Sequence, residues 1–238
     1  WSRKSCALSL RNIVYQCRIG FSSLLGEVML AVLVFVGNVV FMQYLGDDGV
    51  GAFGIVCYYT PFIFTLGNSI VQSVQPIVSY SYGNGAYDRV RKARSLMMRV
   101  SVLLGLGVTL VFVLFPEMLV ALFIDISSKA GVLAVKGMPL FASGFVFFVI
   151  NICVVGYYQS VERTVPATAV MLLRGVVLLL PCFLFLPQLI GEGGIWLATP
   201  LAELVTTMMI VMYMLCKKIW RFSRSKICVK NKSNPYWN

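Results

Sequence analysis

Long stretches without a charged residue dominate this sequence and constrain its fold more than any other feature. Five of them run over Val28–Gly46, Gly49–Tyr87, Val100–Pro116, Gly137–Val161 and Gly175–Gly191. About 20 apolar residues span a bilayer as a helix, and these runs are continuous rather than alternating, which argues against a transmembrane β-barrel. Only 12% of the 238 residues are charged and 59% are hydrophobic, a composition unsuited to a soluble domain. The sequence therefore predicts an all-α, polytopic transmembrane helical bundle.

We place six spans at residues 21–45, 52–80, 97–115, 137–159, 165–187 and 194–216. This division leaves residues 1–20 as a cytoplasmic linker, residues 21–216 as the transmembrane bundle and residues 217–238 as a basic cytoplasmic tail. The chain begins at Trp1 without a signal-peptide pattern. We therefore expect it to be a piece of a longer protein, or a processed or truncated product.

The positions of the basic residues predict the orientation of the bundle. Lys and Arg in short loops are retained on the cytoplasmic side of a membrane. Nearly all of the 20 Lys and Arg lie in the linker, in the loops after the second and fourth spans, and in the tail, whereas Lys129 and Lys136 fall on the opposite side. Both termini are thus predicted to be cytoplasmic. The net charge of +11 follows from this topology and from contact of the tail with anionic membrane lipid, so no nucleic-acid partner is expected.

The residue content excludes several kinds of chemistry. Histidine is absent, and the seven cysteines are scattered without a CxxC motif. Serine and cysteine hydrolase sites that use histidine, and histidine metal sites, are therefore excluded. The cysteines fit the role of small buried hydrophobic residues. We predict no catalytic residue, no metal site and no cofactor, and an intramembrane enzyme is the weakest of the alternatives.

Apart from Arg99, which we count with the basic loop after the second span, three ionisable residues fall within the predicted spans. Such groups are costly there and mark candidate functional sites. Arg174 would satisfy a structural carboxylate or carbonyl of the bundle, extend to the membrane interface, or contact a substrate. Glu203 would either pair with Arg174 or titrate. Glu27 has no basic residue nearby in its own span. It would bind and release a proton or attract a cation, unless it is an interfacial residue at the cytoplasmic end of its span.

Amide side chains in the spans most often form hydrogen bonds between helices. Asn68, Gln72 and Gln75 lie at positions i, i+4 and i+7 and so share one helix face. This face, with Asn151 of the fourth span, is predicted to line a polar cavity. Asn38 lies in the same span as Glu27, and we assign it with Glu27 to transport and cation coupling.

The stretch "QPIVSYSYGNGAYDRVRKA" (Gln75–Ala93) joins a Gln-Pro pair, an aromatic and glycine-rich turn and a basic helix, in which Asp88 and Lys92 form an i, i+4 pair. It resembles the end of the eighth helix of multidrug and toxic compound extrusion (MATE) transporters. The stretch "GEVMLAVLVFVGN" resembles their seventh helix, where Glu27 matches a carboxylate implicated in proton or cation coupling. "VVGYYQSVERTVPATAVMLLRGVVLLLP" resembles helices ten and eleven, and "GEGGIWLATPLAELVT" resembles the start of helix twelve.

The resemblance implies that the chain is the C-terminal six-helix half of a twelve-helix transporter whose halves are related by a pseudo-two-fold axis. Such a transporter would exchange H+ or Na+ for small cationic or amphipathic drugs across the plasma (inner) membrane, with the N-terminal half as partner. Some members carry an acid in helix ten, where this sequence has Asn151.

Two other functions stay open. One is a lipid-linked oligosaccharide flippase of the same superfamily, which would need several cavity arginines where the spans offer only Arg174. The other is a non-transporting six-helix fragment or scaffold.

Overall fold

The computed structural model describes residues 10–232, without the side chains of residues 217–232 and of a few positions between 11 and 22. The predicted tail and most of the predicted linker therefore lie outside the residues whose side chains are described. All regular secondary structure in the described part of the chain is helical.

The described residues form a series of helices joined by short connections. They are α1 (Leu10–Gly83), α2 (Tyr87–Leu114), α3 (Pro116–Ala121), α4 (Lys129–Ala142), α5 (Phe145–Ser160), α6 (Thr164–Leu172), a π-helical turn (Leu173–Val177), α7 (Leu179–Ile190) and α8 (Glu192–Lys232).

Helix α1 is a hairpin of two arms, residues 10–45 and 47–83, joined at Gly46. Gly46 has φ 65° and ψ −158°, a left-handed conformation that a residue without a Cβ adopts readily. A Cβ placed on Gly26 in the first arm would lie 3.8 Å from Cζ of Phe64 in the second arm. Because Gly26 and Phe64 lie at similar distances in sequence on either side of Gly46, the two arms run antiparallel.

Four described helical segments are long and apolar enough to cross a membrane: Ser23–Gly83, Tyr87–Leu114, Thr164–Ile190 and Glu192–Cys216. A fifth is counted when α4 and α5, which are bent by 48° at their junction, form one span. The first segment contains the Gly46 hairpin. A straight helix of its 61 residues would be about 90 Å long, roughly three times the thickness of the hydrocarbon core.

The predicted turn and basic helix after the second arm are present in the structure. The second arm ends at Gly83, Gly85 has φ 69° and α2 begins at Tyr87. Within α2, Oδ1 of Asp88 lies 3.9 Å from Nη2 of Arg91, so the acid contacts the residue at i+3 rather than the predicted Lys92 at i+4. Both side chains are largely exposed, and an ion pair of this kind contributes little to stability.

A buried aromatic cluster lies close to the Gly46 turn of the α1 hairpin. The rings of Phe41 and Phe53, one from each arm of α1, stack with centroids 4.4 Å apart, and Trp196 of α8 meets Phe41 edge-on at 4.7 Å. Phe141 of α4 packs edge-on against Phe53, and Phe145 of α5 packs against Phe141. The cluster holds the α1 hairpin against α4, α5 and α8, since aromatic pairs at these distances add to the stability gained by burial.

The outer surface is rich in large apolar side chains. Phe35, Leu103 and Leu189 are 71%, 71% and 79% exposed. Water-soluble monomers rarely expose extended apolar patches. The surface therefore suits the hydrocarbon region of a bilayer, in which helices satisfy their own backbone hydrogen bonds.

A glycine allows a close approach between α2 and α5. A Cβ placed on Gly105 would lie 2.8 Å from the Cα of Val146, so the α5 backbone would have to move to admit any side chain. We expect Gly105→Leu to lower the free energy of unfolding by about 1–3 kcal/mol, the cost of overpacking a well-packed contact. Thermal unfolding of the purified protein in detergent measures this change.

Gly107 provides the matched control on the same helix. A Cβ at Gly107 meets no atom within 4 Å, so Gly107→Leu should leave the unfolding temperature nearly unchanged. Equal losses in the two variants would show that the glycines matter for another reason than helix approach.

Candidate functional site

The π-helical turn between α6 and α7 carries Arg174, which lies inside the fifth predicted span. The backbone N–H of Leu178 donates to the carbonyl of Leu173 at 2.9 Å, the i→i+5 bond that defines a π-helix. Such turns are rare and often occur at functional sites. Arg174, the second residue of this turn, is only 7% exposed.

Arg174 and Glu203 form an ion pair inside the bundle. Nη2 of Arg174 lies 2.7 Å from Oε1 of Glu203, and both side chains are almost completely buried. The guanidinium carbon of Arg174 also lies 4.6 Å from the centroid of the Phe148 ring, close enough for a cation–π contact. The pair thereby connects the π turn with α8 and α5.

The second oxygen of Glu203 is held by an amide. Nδ2 of Asn151 donates to Oε2 of Glu203 at 2.7 Å and to the Glu203 carbonyl at 3.1 Å. The hydroxyl of Thr207 lies 3.0 Å from Oδ1 of Asn151 and 2.9 Å from the Glu203 carbonyl, so both are acceptors within its reach. We call Arg174, Glu203, Asn151, Thr207 and Phe148 the buried network.

A small cavity of about 20 Å³ adjoins the buried network between α1, the π turn and α8, and Arg174, Thr199 and Glu203 are among its lining residues. The hydroxyl of Thr199 is buried and has no hydrogen-bond partner among the described residues. Buried polar groups are almost always satisfied by protein or water, and a volume of this size has room for one water molecule. The Thr199 hydroxyl is therefore a hydrogen-bonding group beside the ion pair that a water molecule could satisfy.

A second polar feature is an exposed stripe along the second arm of α1. Thr65, Ser69 and Ser73 follow one another at four-residue intervals, and each hydroxyl donates to the carbonyl four residues earlier at 2.8–2.9 Å. Gln72 and Gln75 are also exposed. We call these five residues the polar stripe, and Asn68, which is half-buried, borders it.

The residues that sequence assigned to coupling lie on the first arm. Glu27 is exposed on the surface of the described bundle and Asn38 is half-buried. Gly26, the neighbour of Glu27, lies against Phe64, the neighbour of Thr65. The hairpin thus brings the part of the first arm that carries Glu27 against the part of the second arm where the polar stripe starts.

The structure separates the sequence candidates into two groups. Arg174, Glu203 and Asn151 come together in the buried network, with Asn151 fully buried rather than at an exposed surface. Glu27, Gln72 and Gln75 are exposed. Sequence analysis did not identify Thr207 and Phe148; the position of Thr207 one helical turn after Glu203 is the signal that could have found the first of them.

We expect Arg174→Gln to lower the free energy of unfolding by about 3–5 kcal/mol, because it leaves a buried carboxylate without its cation. Glu203→Gln should also destabilise the protein, and the double variant should lose less than the sum of the two. The measurement is a double-mutant cycle on unfolding in detergent.

The matched control is the exposed pair on α2. The same cycle on Asp88→Asn and Arg91→Gln should give almost no coupling, because these side chains are 91% and 82% exposed. Additive losses at Arg174 and Glu203, within about 0.5 kcal/mol, would contradict an energetic role for the buried ion pair.

The fold is similar to those of several solved transporters. The structure of the MATE multidrug transporter DinF-BH is 27% identical, with a TM-score of 0.74, and the match covers 90% of this chain and 48% of that one. An outward-facing multidrug resistance MATE family transporter of the MOP superfamily is 14% identical, with a TM-score of 0.82, over 91% of this chain and 49% of that one. A MOP superfamily transporter from Pyrococcus furiosus is 14% identical, with a TM-score of 0.81 and the same coverage of both chains. The chain spans about half the length of these structures.

No curated protein matches the sequence. The sequence model of the MatE family matches residues 23–184, from the first arm of α1 into α7. This match covers more than half of the chain, and the fold is that of MATE and MOP superfamily transporters. The chain therefore belongs to the MatE family of multidrug and toxic compound extrusion proteins, as a part of such a protein.

Proposed function

We propose that the chain is the C-terminal half of a secondary transporter of the plasma (inner) membrane, which exports small cationic or amphipathic compounds in exchange for H+ or Na+. In this proposal the chain crosses the membrane six times. The spans are the two arms of α1, α2, the bent pair of α4 and α5, the run from α6 to α7, and α8 up to residue 216. Support comes from the MatE match and from the coverage of only 49% of the chain of a similar solved transporter.

The observation that carries the proposal is the polar stripe. The hydroxyls of Thr65, Ser69 and Ser73 bond to carbonyls of their own helix, but a glutamine amide has two donors and an acceptor that its own helix leaves open. Gln72 and Gln75 are exposed on this chain, and lipid offers them no partner. A face of this kind needs water or another protein surface. A substrate path between two halves supplies both.

Glu27 has the properties of a coupling group in this arrangement. A carboxylate within a span is costly unless it faces a cavity or a partner, and among the described residues no basic side chain pairs with Glu27. The carboxylate would therefore be free to bind a proton or Na+ in a cavity between the halves. Glu203 has no such freedom, because both of its carboxylate oxygens are engaged.

The flippase alternative is weaker on the same geometry. Such a carrier would use several arginines facing the cavity, whereas Arg174 is buried and bound to Glu203. A direct measurement of transport distinguishes the scaffold alternative from the proposed transporter, because a scaffold exports no substrate.

We expect Glu27→Gln in the complete transporter to abolish export, because the amide cannot exchange a proton or balance a cation. The readout is the initial rate of efflux of a fluorescent organic cation from cells that make equal amounts of each variant. The rate should fall to that of cells without the transporter.

Glu117→Gln is the matched control. Glu117 is an exposed acid at the start of α3, on a different helix from Glu27, and its substitution should preserve efflux. Full efflux by the Glu27→Gln variant would refute the coupling role, and efflux by residues 1–238 alone would refute the need for a second half.

A further inference from the structure

A large cavity lined by described residues lies at the end of the bundle where α1 ends and α2 begins, away from the buried network and the polar stripe. Its volume is about 830 Å³, within the range of small-molecule sites. Five tyrosines line it, at positions 82, 87, 157, 158 and 213. We call it the tyrosine pocket.

Three arginines, Arg91, Arg94 and Arg163, also line the tyrosine pocket, and no Asp or Glu is among its described lining residues. Arg91 lies near Asp88 at the rim. No carboxylate in the described part of the chain forms an ion pair with Arg94 or Arg163. The pocket therefore has an excess of positive charge.

The contacts of Arg94 leave most of its hydrogen-bonding capacity open. Its guanidinium carbon lies 4.9 Å from the centroid of the Tyr157 ring, and Nη2 lies 3.0 Å from Sδ of Met214. A thioether is a weak acceptor, and a guanidinium has five N–H donors in a planar fork. The tyrosine ring and the thioether thus fix the direction of the fork without neutralising its charge.

The remaining walls of the pocket are held by contacts between helix ends. The hydroxyl of Ser79 donates to the carbonyl of Ser160 at 3.0 Å, which joins the end of α1 to the end of α5. The backbone N–H of Arg163 donates to the carbonyl of Tyr158 at 2.9 Å. The turn that carries Arg163 is therefore fixed beside Arg94 and Tyr158, both of which share the pocket.

Arginine forks match the geometry of phosphate oxygens, and tyrosine hydroxyls can donate to the same oxygens or to a polyol. Basic pockets between membrane helices are known to suit anionic lipid headgroups, and tyrosines are enriched at the level of the headgroups. A cavity of 830 Å³ is far larger than inorganic phosphate needs, but it has room for a headgroup with its glycerol.

We propose that the tyrosine pocket binds the phosphate of an anionic phospholipid headgroup, with Arg94 and Arg163 as the phosphate-binding residues. This site is separate from the proposed transport path and does not depend on the coupling role of Glu27. A soluble phosphate compound has the same chemistry, and the experiment separates the two sources.

The test measures binding to the intact protein in neutral detergent by native mass spectrometry, with phosphatidylglycerol, phosphatidylcholine and inorganic phosphate as separate probes. We expect phosphatidylglycerol to bind at least tenfold more tightly than phosphatidylcholine. Arg94→Gln and Arg163→Gln should each weaken phosphatidylglycerol binding about fivefold, and the double variant about 25-fold, as for the loss of one and two basic contacts at a membrane surface.

Arg99→Gln is the matched control, because Arg99 is exposed on the same helix and is not among the residues lining the pocket. It should retain wild-type affinity. The Arg163→Gln variant is not expected to disturb folding, since Arg163 is exposed and lies in a turn rather than in a helix. A loss of binding in this variant therefore reports on the pocket and not on misfolding.

Equal binding of the two lipids, unchanged binding in the double variant, or an equal loss in Arg99→Gln would each overturn the proposal. Saturable binding of inorganic phosphate that depends on Arg94 and Arg163 and displaces phosphatidylglycerol would support recognition of the phosphate. Arginine-dependent binding of inorganic phosphate without any binding of phosphatidylglycerol would overturn the lipid assignment and assign the pocket to a soluble phosphate compound.

Discussion

The ion pair between Arg174 and Glu203 is the contact on which the arrangement of the second part of the bundle depends. A buried charge without a partner is strongly unfavourable, so the π turn, α5 and α8 can pack only in the geometry that brings these two side chains and Asn151 together. Apolar packing in lipid does not select one arrangement so sharply, because lipid tails are as apolar as the helix surfaces. The polar groups therefore select one arrangement of the helices. Apolar side chains such as the aromatic cluster around Phe41 and Phe53 fill the interior of that arrangement.

The polar groups of this chain have two different fates. Those of the buried network satisfy one another within the chain, whereas Glu27, Gln72 and Gln75 stay exposed. Hydrogen bonds within the buried network hold the helices in place. Exposed polar side chains remain available to water, ions or another protein surface. The same residue types therefore have a structural role in the buried network and a proposed transport role where they stay exposed.

Hydropathy alone identified the apolar helices, because an uncharged run of sufficient length has few alternatives in lipid. The family was recognised from the stretch Gln75–Ala93, where a turn and a basic helix occur together. The breaks inside the spans were not predicted. The 48° bend between α4 and α5 falls at Ser143 and Gly144, the kind of Gly/Ser pair at which helices commonly kink. The π turn at Leu173–Val177 has no such pair to mark it.

The candidate site was predictable only in part, for a related reason. Arg174 and Glu203 stand out because charges are rare in apolar spans, and consecutive spans tend to be neighbours. Asn151 joins them from 52 residues away, and its direction depends on the rotation of α5 about its axis, which periodicity does not fix when the whole helix is apolar. The tyrosine pocket was not predicted at all, because it draws residues from α1, α2, α5, α6, α8 and the turn after α5.

The π turn has a consequence for the register of the helix that follows it. A π turn accommodates one residue more than an α turn, so α7 is displaced by one residue from the helical repeat of α6. One residue corresponds to a rotation of about 100° around the helix axis. If the turn reverted to regular α geometry, either α7 would present a different row of side chains to α8, or Arg174 would turn away from Glu203. The extra residue of the π turn therefore couples the rotation of α7 about its axis to the position of the Arg174 side chain.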